Sequence, residues 1–179
     1  NDLTAGHIRQ VQKLYENQSG RKISLPYGVE ALRCYEGVKL QKKTEEVSER
    51  TEEVQELNME GTTSWVNESF RTRIFPYSGE KILEKKYTKW FDCDKINCEL
   101  SVRTRRSGDY MIVNQSGGRK KLTRCMIDDK IPGEIRQEIP LVAAKDEILW
   151  IVGGRISERY KITSQTEKVL EITYQGGNL

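Results

Sequence analysis

Apolar residues recur at helical spacing once, near the start of the chain, and at strand spacing through most of the remainder. Ile8, Val11, Leu14 and Tyr15 share one stripe of a helix over 3–17, with Asp2 or Thr4 as N-cap and Ser19-Gly20 as its stop. Positions 23–40 alternate between apolar and polar and are broken at Pro26, Gly28 and Glu36-Gly37, which predicts two or three short strands joined by tight turns. Alternation resumes over 62–75, where Phe70, Thr72 and Ile74 oppose Arg71, Arg73 and Phe75. These strands are expected to close a small sheet on the first helix and to complete a domain at Tyr77, with Ser78-Gly79-Glu80-Lys81 as the boundary.

The second half reads as more strands around two short helices. Tyr87, Trp90 and Phe91 are expected to anchor its core. Leu100 and Val102 form a strand, Ser107-Gly108-Asp109 turns the chain, and 110–113 runs back, which would set the intervening arginines at the end of a hairpin. After a turn at 115–118, Leu122, Cys125 and Met126 at i, i+3 and i+4 predict a helix, and Pro132 opens another that ends before Pro140. Lys145-Asp146 joins 141–144 to 148–152, whose apolar residues on both faces predict a central strand, and 169–174 is the last strand. The expected architecture is α+β in two small domains, 1–77 and 78–179: a helix with a small antiparallel sheet, then a sheet-rich module.

Charge changes this picture in two places. Between 41 and 60, seven acids face three bases with few apolar residues, which predicts a solvated insert that would repel nucleic acid. Between 101 and 124, Arg103, Arg105, Arg106, Arg119, Lys120, Lys121 and Arg124 stand against Asp109 alone, a net of +6 in a chain whose total is +3. A solvated face would explain such a run, and so would a polyanion partner that releases counterions as its phosphates are neutralised. The lysines precede the predicted helix, where the dipole disfavours cations, so helix stability does not explain them.

Catalytic and metal chemistry find little support. The apolar fraction is 36% and no apolar run approaches the roughly 18 residues of a membrane span, which predicts a soluble protein. The first residues lack a signal-peptide pattern, and a cytoplasmic location with reduced thiols is expected. Cys93 and Cys98 are spaced like half a zinc site, but no second Cys/His pair follows and His7 is the only histidine, so no metal site is expected. Ser116-Gly117-Gly118 begins like the S-G-G-x-D-S loop of ATP pyrophosphatases, yet Lys120 and Lys121 occupy its Asp and Ser positions. No other phosphate-binding glycine loop occurs, and no base stands beside a nucleophile, so neither a cofactor nor catalysis is expected of this chain.

Several segments taken in order carry a family resemblance: Leu25-Pro-Tyr-Gly28, Arg33-Cys-Tyr35, Trp90-Phe-Asp92, Arg103-Thr-Arg-Arg-Ser-Gly-Asp109, Lys120-Lys-Leu122, Asp129-Lys-Ile-Pro132, Ile139-Pro-Leu141, Ile148-Leu-Trp150, Gly154-Arg-Ile-Ser157 and Tyr160-Lys161. Together they resemble the C-terminal half of bacterial tRNA(Ile)-lysidine synthetase, departing from its usual pattern at Gly133 and Cys93. The resemblance implies an ATP- and Mg-dependent ligase that attaches lysine to the wobble cytidine of an isoleucine tRNA. It also implies that the nucleotide loop lies on an N-terminal domain outside this sequence, and that the two C-terminal domains grip the tRNA. The last of these is similar to a module of the phenylalanyl-tRNA synthetase β subunit.

On the matching positions, the implied RNA-contacting set is Arg103, Arg105, Arg106, Lys120, Lys121, Lys130 and Arg136, to which the basic segment adds Arg119 and Arg124, and the stretch after Gly154 adds Arg155, Arg159 and Lys161. Gly108 and Asp109 are expected to shape the turn, with Asp109 capping backbone NH groups. A second reading is a protein-interaction or dimerisation module whose bases meet acids such as those of a neighbour's insert. The two are compatible, since a tRNA ligase can be a homodimer.

Overall fold

The computed structural model describes residues 3–18, 20–42, 54–82 and 85–176. The chain divides into two compact units, Asn1–Arg50 with Ile131–Arg136, and Thr51–Lys130 with Gln137–Leu179. No described helix is long and apolar enough to cross a membrane.

In the smaller unit, helix α1 (Ala5–Leu14) starts at Thr4, whose backbone N–H donates to His7 Nδ1 at 3.1 Å. Only Leu14 of the predicted stripe is fully buried; Ile8 and Tyr15 remain exposed. Strands β1 (Lys22–Leu25), β2 (Val29–Arg33) and β3 (Val38–Lys42) form an antiparallel meander, as the alternation predicts. Arg33 ties it to the helix, donating from Nε to the Tyr15 carbonyl at 3.1 Å and from a terminal nitrogen to the Gly37 carbonyl at 3.0 Å. The segment Ile131–Arg136 joins this unit, with the Cys34 thiol against Glu134 Oε1 at 3.1 Å. Residues 133–138 form successive turns where a helix was expected.

The larger unit packs two sheets face to face. One has six strands in the order β10-β9-β12-β11-β8-β4, built from β4 (Gln55–Glu56), β8 (Ser101–Arg103), β9 (Tyr110–Ile112), β10 (Arg119–Lys121), β11 (Leu141–Ala144) and β12 (Glu147–Ile151). The other has four in the order β5-β6-β13-β7, from β5 (Gly61–Trp65), β6 (Glu68–Pro76), β7 (Thr88–Asp92) and β13 (Lys168–Gln175). Phe70, Phe91, Leu170 and Ile172 from the second sheet meet Val102, Val142, Leu149 and Trp150 from the first in one core. Each such side chain contributes roughly 1.5–3 kcal/mol of burial. Strand β12 is buried at every position and is central, as expected.

Three expectations change here. Strands β5 and β6 do not close a sheet on α1: β6 pairs along its length with β13, from Lys168↔Pro76 to Gln175↔Ser69, so the unit boundary falls near 50 and not at 77. Alternation identified the strands, but partner choice over a separation of about a hundred residues is set by tertiary packing. Second, β8 and β9 are not a hairpin. β8 pairs antiparallel with β11, and β9 lies parallel to β12, so 104–109 is a crossover. Third, the part of the acidic segment at 54–60 is built into this unit, with β4 on β8 and Leu57 buried, while 43–53 lies outside the described residues.

Two local features yield predictions. Trp65 pairs with Glu68, leaving Val66-Asn67 as a two-residue turn in which Val66 has φ 55. A β-branched residue opposes that conformation, and Val66 is 61% exposed, so no packing compensates. Val66→Asn is expected to raise stability by about 1 kcal/mol, seen as a higher urea midpoint at unchanged slope.

Asp92 is buried at the end of β7, accepting from Thr166 Oγ1 at 2.6 Å and from the Asp94 N–H at 3.2 Å, with Lys95 Nζ 2.8 Å away. Burial acts to raise its pKa, but the Lys95 and Thr166 hydrogen bonds outweigh it and hold the carboxyl below the ordinary 3.8. Its contribution is therefore complete above the unfolded value and is lost as pH falls through the lower folded one. Asp92→Asn should lower stability at neutral pH and flatten the acid limb below about pH 4 in urea titrations. An acid limb identical to the parent's would show that other carboxylates carry it.

Candidate nucleic-acid interface

The basic segment is organised from the inside by one ion pair. Arg103, at the end of β8, and Asp109, just before β9, are each 3% exposed. The guanidinium grips the carboxylate with two hydrogen bonds of 2.9 and 2.8 Å, and also donates to the carbonyls of Thr104 at 2.9 Å and Lys145 at 2.6 Å. Asp109 Oδ2 accepts the Arg106 N–H at 2.7 Å, the backbone cap expected of it, and Gly108 supplies φ 94 for the turn. Arg103 was grouped with the RNA contacts by sequence; the fold spends its donors internally, so it shapes the crossover that carries Arg105 and Arg106.

Around this brace three elements meet. Leu122 N–H donates to the Asp109 carbonyl at 2.9 Å, which fixes helix α2 (Leu122–Asp128) to the turn. Arg105 spans the same junction, donating to Thr123 Oγ1 at 3.1 Å and Gln137 Oε1 at 2.9 Å. β10 is the edge strand, paired so that Arg119 faces Ile112 and Lys121 faces Tyr110. Arg119, Lys121 and Arg124 are exposed, while Leu122, Cys125 and Met126 turn into the core. Arg105, Arg106, Arg119, Lys121 and Arg124 thus stand on one bonded junction, and Asp109, the single acid of the 101–124 run, points inward.

The remaining predicted bases are placed differently. Lys120 projects to the opposite side of the ribbon and pairs with Asp128, holding that carboxyl below its usual range. Arg155 is bidentate on Asp129, and this bond raises its own pKa. Lys161 is exposed and pairs with Glu158 at 2.5 Å. Lys130 is exposed at φ 55 after α2. Arg136 lies in the smaller unit, donating to the Ile131 carbonyl at 2.9 Å and reaching the Tyr35 hydroxyl at 3.4 Å.

Sequence reasoning missed two residues that organise the surface. The Arg119 guanidinium lies 3.6 Å from the centroid of the Tyr110 ring, a cation–π contact that pre-orients it. Buried Glu147, at the start of β12, lies 3.1 Å from Arg159 and accepts from the Tyr110 hydroxyl at 3.4 Å. Burial, with Glu147 nearby, pushes the Tyr160 hydroxyl up to about 12. The available signal was a lone carboxylate opening an otherwise apolar strand.

Among the described residues, no group of three or more His, Cys, Asp or Glu side chains is arranged to hold a metal ion, and the four cysteines are free thiols. What the junction offers chemically is fixed positive charge on a ribbon edge, suited to phosphate oxygens.

Residues 100–172 match the family described as TilS substrate C-terminal domain. A tRNA(Ile)-lysidine synthase of Caldanaerobacter subterraneus subsp. tengcongensis is 37% identical over 96% of this chain and 37% of its own length. One from Clostridium perfringens is 32% identical over 98% of this chain and 39% of its own. The chain therefore spans under two-fifths of these relatives. A crystal structure of a TilS C-terminal domain, 27% identical, superposes with a TM-score of 0.58 over 71% of this chain and 98% of that one.

Proposed function

From the premise that the chain matches the C-terminal region of the tRNA(Ile)-lysidine synthase family over nearly its whole length, we propose that it is the part of such an enzyme that binds and positions the tRNA. The parent activity is ATP-dependent attachment of lysine to the wobble cytidine of an isoleucine tRNA. ATP and Mg are held on a portion of the enzyme that this sequence does not contain. The observation that carries the reading is the junction of Arg105, Arg106, Arg119, Lys121 and Arg124, braced from below by the Arg103–Asp109 pair.

A-form RNA hides its base edges in a narrow major groove and presents phosphates and 2′-hydroxyls. A rigid cationic ribbon therefore grips the duplex by shape, and little sequence is read there. Filter binding of an isoleucine tRNA to the 179-residue chain tests this: affinity should fall steeply and linearly on a log–log salt plot. No binding even at low salt would overturn the reading.

One observation favours a second, compatible role in self-association. Leu3, Ile8, Tyr15, Tyr27, Tyr35 and Leu40 of the smaller unit are all exposed. Light scattering against concentration would detect such a dimer.

A further inference from the structure

The outer face of the four-stranded sheet has no part in the basic junction, yet it is not an ordinary solvated face. Along β6, Phe70 and Thr72 turn inward, which sends Arg71, Arg73 and Phe75 outward. On β7, Phe91 is inward and Trp90 outward; on β13, Leu170 and Ile172 are inward and Glu171 outward. The register places Arg73, Glu171 and Trp90 in one row across three strands.

That row is pre-organised. Trp90 Nε1–H donates to Glu171 Oε2 at 2.6 Å, fixing the indole, and Phe75 meets its edge at 5.0 Å with the planes 75° apart. Arg73 donates twice to Glu171, at 2.6 and 3.1 Å, and sits 5.0 Å from the centre of the Phe75 ring. Glu171 is thereby neutralised by Arg73, and its carboxyl is held below the usual range first by that arginine, then by Trp90, with Lys85 also acting on it. Arg71 is exposed beside the row, so cations outnumber the carboxylate on a face that also carries two aromatic rings.

The core does not require this pair, because Phe70 and Phe91 already fill the inner side. Aromatic rings held on a sheet among arginines match unpaired nucleotides: each base offers a π-face for stacking, and its phosphate meets the cations. Paired bases, stacked within a duplex, offer no such face. We infer that Trp90 and Phe75 form a stacking platform for single-stranded nucleotides of the RNA, distinct from the duplex-gripping junction. The inference takes its ligand class from the tRNA reading, and its test separates the two.

The test uses the 179-residue chain with two probes, a single-stranded decamer of cytidylate and a blunt RNA hairpin closed by a compact tetraloop whose bases stack on one another. The chain has three tryptophans; Trp150 is fully buried and Trp65 nearly so, leaving Trp90 as the reporter that a base can reach. The decamer should quench tryptophan fluorescence. Trp90→Phe should abolish the quench yet keep affinity within about threefold, and Trp90→Ala should weaken the decamer about tenfold. Arg71→Ala, at an exposed position that leaves the row intact, should lower the decamer's salt slope by about 0.7. Arg119→Ala with Lys121→Ala should weaken only the hairpin.

Decamer binding that is indifferent to Trp90→Ala would overturn the platform. So would equal loss of hairpin and decamer in Trp90→Ala, or an effect of that variant on self-association alone. Hairpin binding without decamer binding sinks this inference and spares the tRNA reading; binding of neither sinks both.

Discussion

Arg103→Ala is expected to destabilise the larger unit by about 3–5 kcal/mol, the cost of leaving one partner of a buried ion pair uncompensated. The side chains of Arg103 and Asp109 are 3% and 1% exposed, so water cannot replace the lost guanidinium. The Thr104 and Lys145 carbonyls lose their side-chain donor at the same time. Arg103→Lys retains the charge but cannot reproduce the two parallel bonds to the carboxylate and should fall between the parent and the alanine variant. Urea denaturation measures this directly; a loss below about 1 kcal/mol would mean that the pair behaves like a surface salt bridge. Because Arg105 and Arg106 lie on the crossover it shapes, tRNA affinity should fall with stability, although Arg103 itself is covered.

The second large effect is on binding. Arg119→Ala, Lys121→Ala and Arg124→Ala combined should leave the fold intact, since all three side chains are exposed. The log–log salt slope for tRNA should drop by about 2–3 units if each cation neutralises one phosphate. Lys120→Ala serves as the contrast within the same basic run, because its ammonium is paired with Asp128 on the other side of the ribbon. It should change the slope much less. A triple variant with the parent's slope would remove these residues from the interface. The two experiments separate a residue that touches RNA from one that holds its neighbours in place: stability moves with Arg103, and the salt slope moves with the ribbon.

Most strand positions were legible in the chain. The alternation over 23–40, the unbroken apolar run of β12 and the i, i+3, i+4 pattern of α2 all correspond to observed elements. The +6 segment was legible too, as charge. Its internal division was not, because Arg103 and Arg105 differ in sequence only by position, and a buried guanidinium is recognised by the carboxylate it meets. Nor did the alternation of β6 reveal its second partner: the hairpin with β5 is local, but the other edge of β6 could equally have met a strand near α1 or β13.

Composition, periodicity and turn residues established an α+β chain rich in short strands, with an inner and an outer face along each strand and one concentrated basic stretch. Those are local properties, set by side-chain type and backbone propensity within a few residues. The pairing of β6 with β13, the crossover between β8 and β9, the inward turn of Arg103 onto Asp109 and the meeting of Trp90 with Phe75 were decided by tertiary structure alone. Each depends on burying surface against residues distant in sequence or across intervening strands, and on finding partners for polar groups that burial cuts off from water.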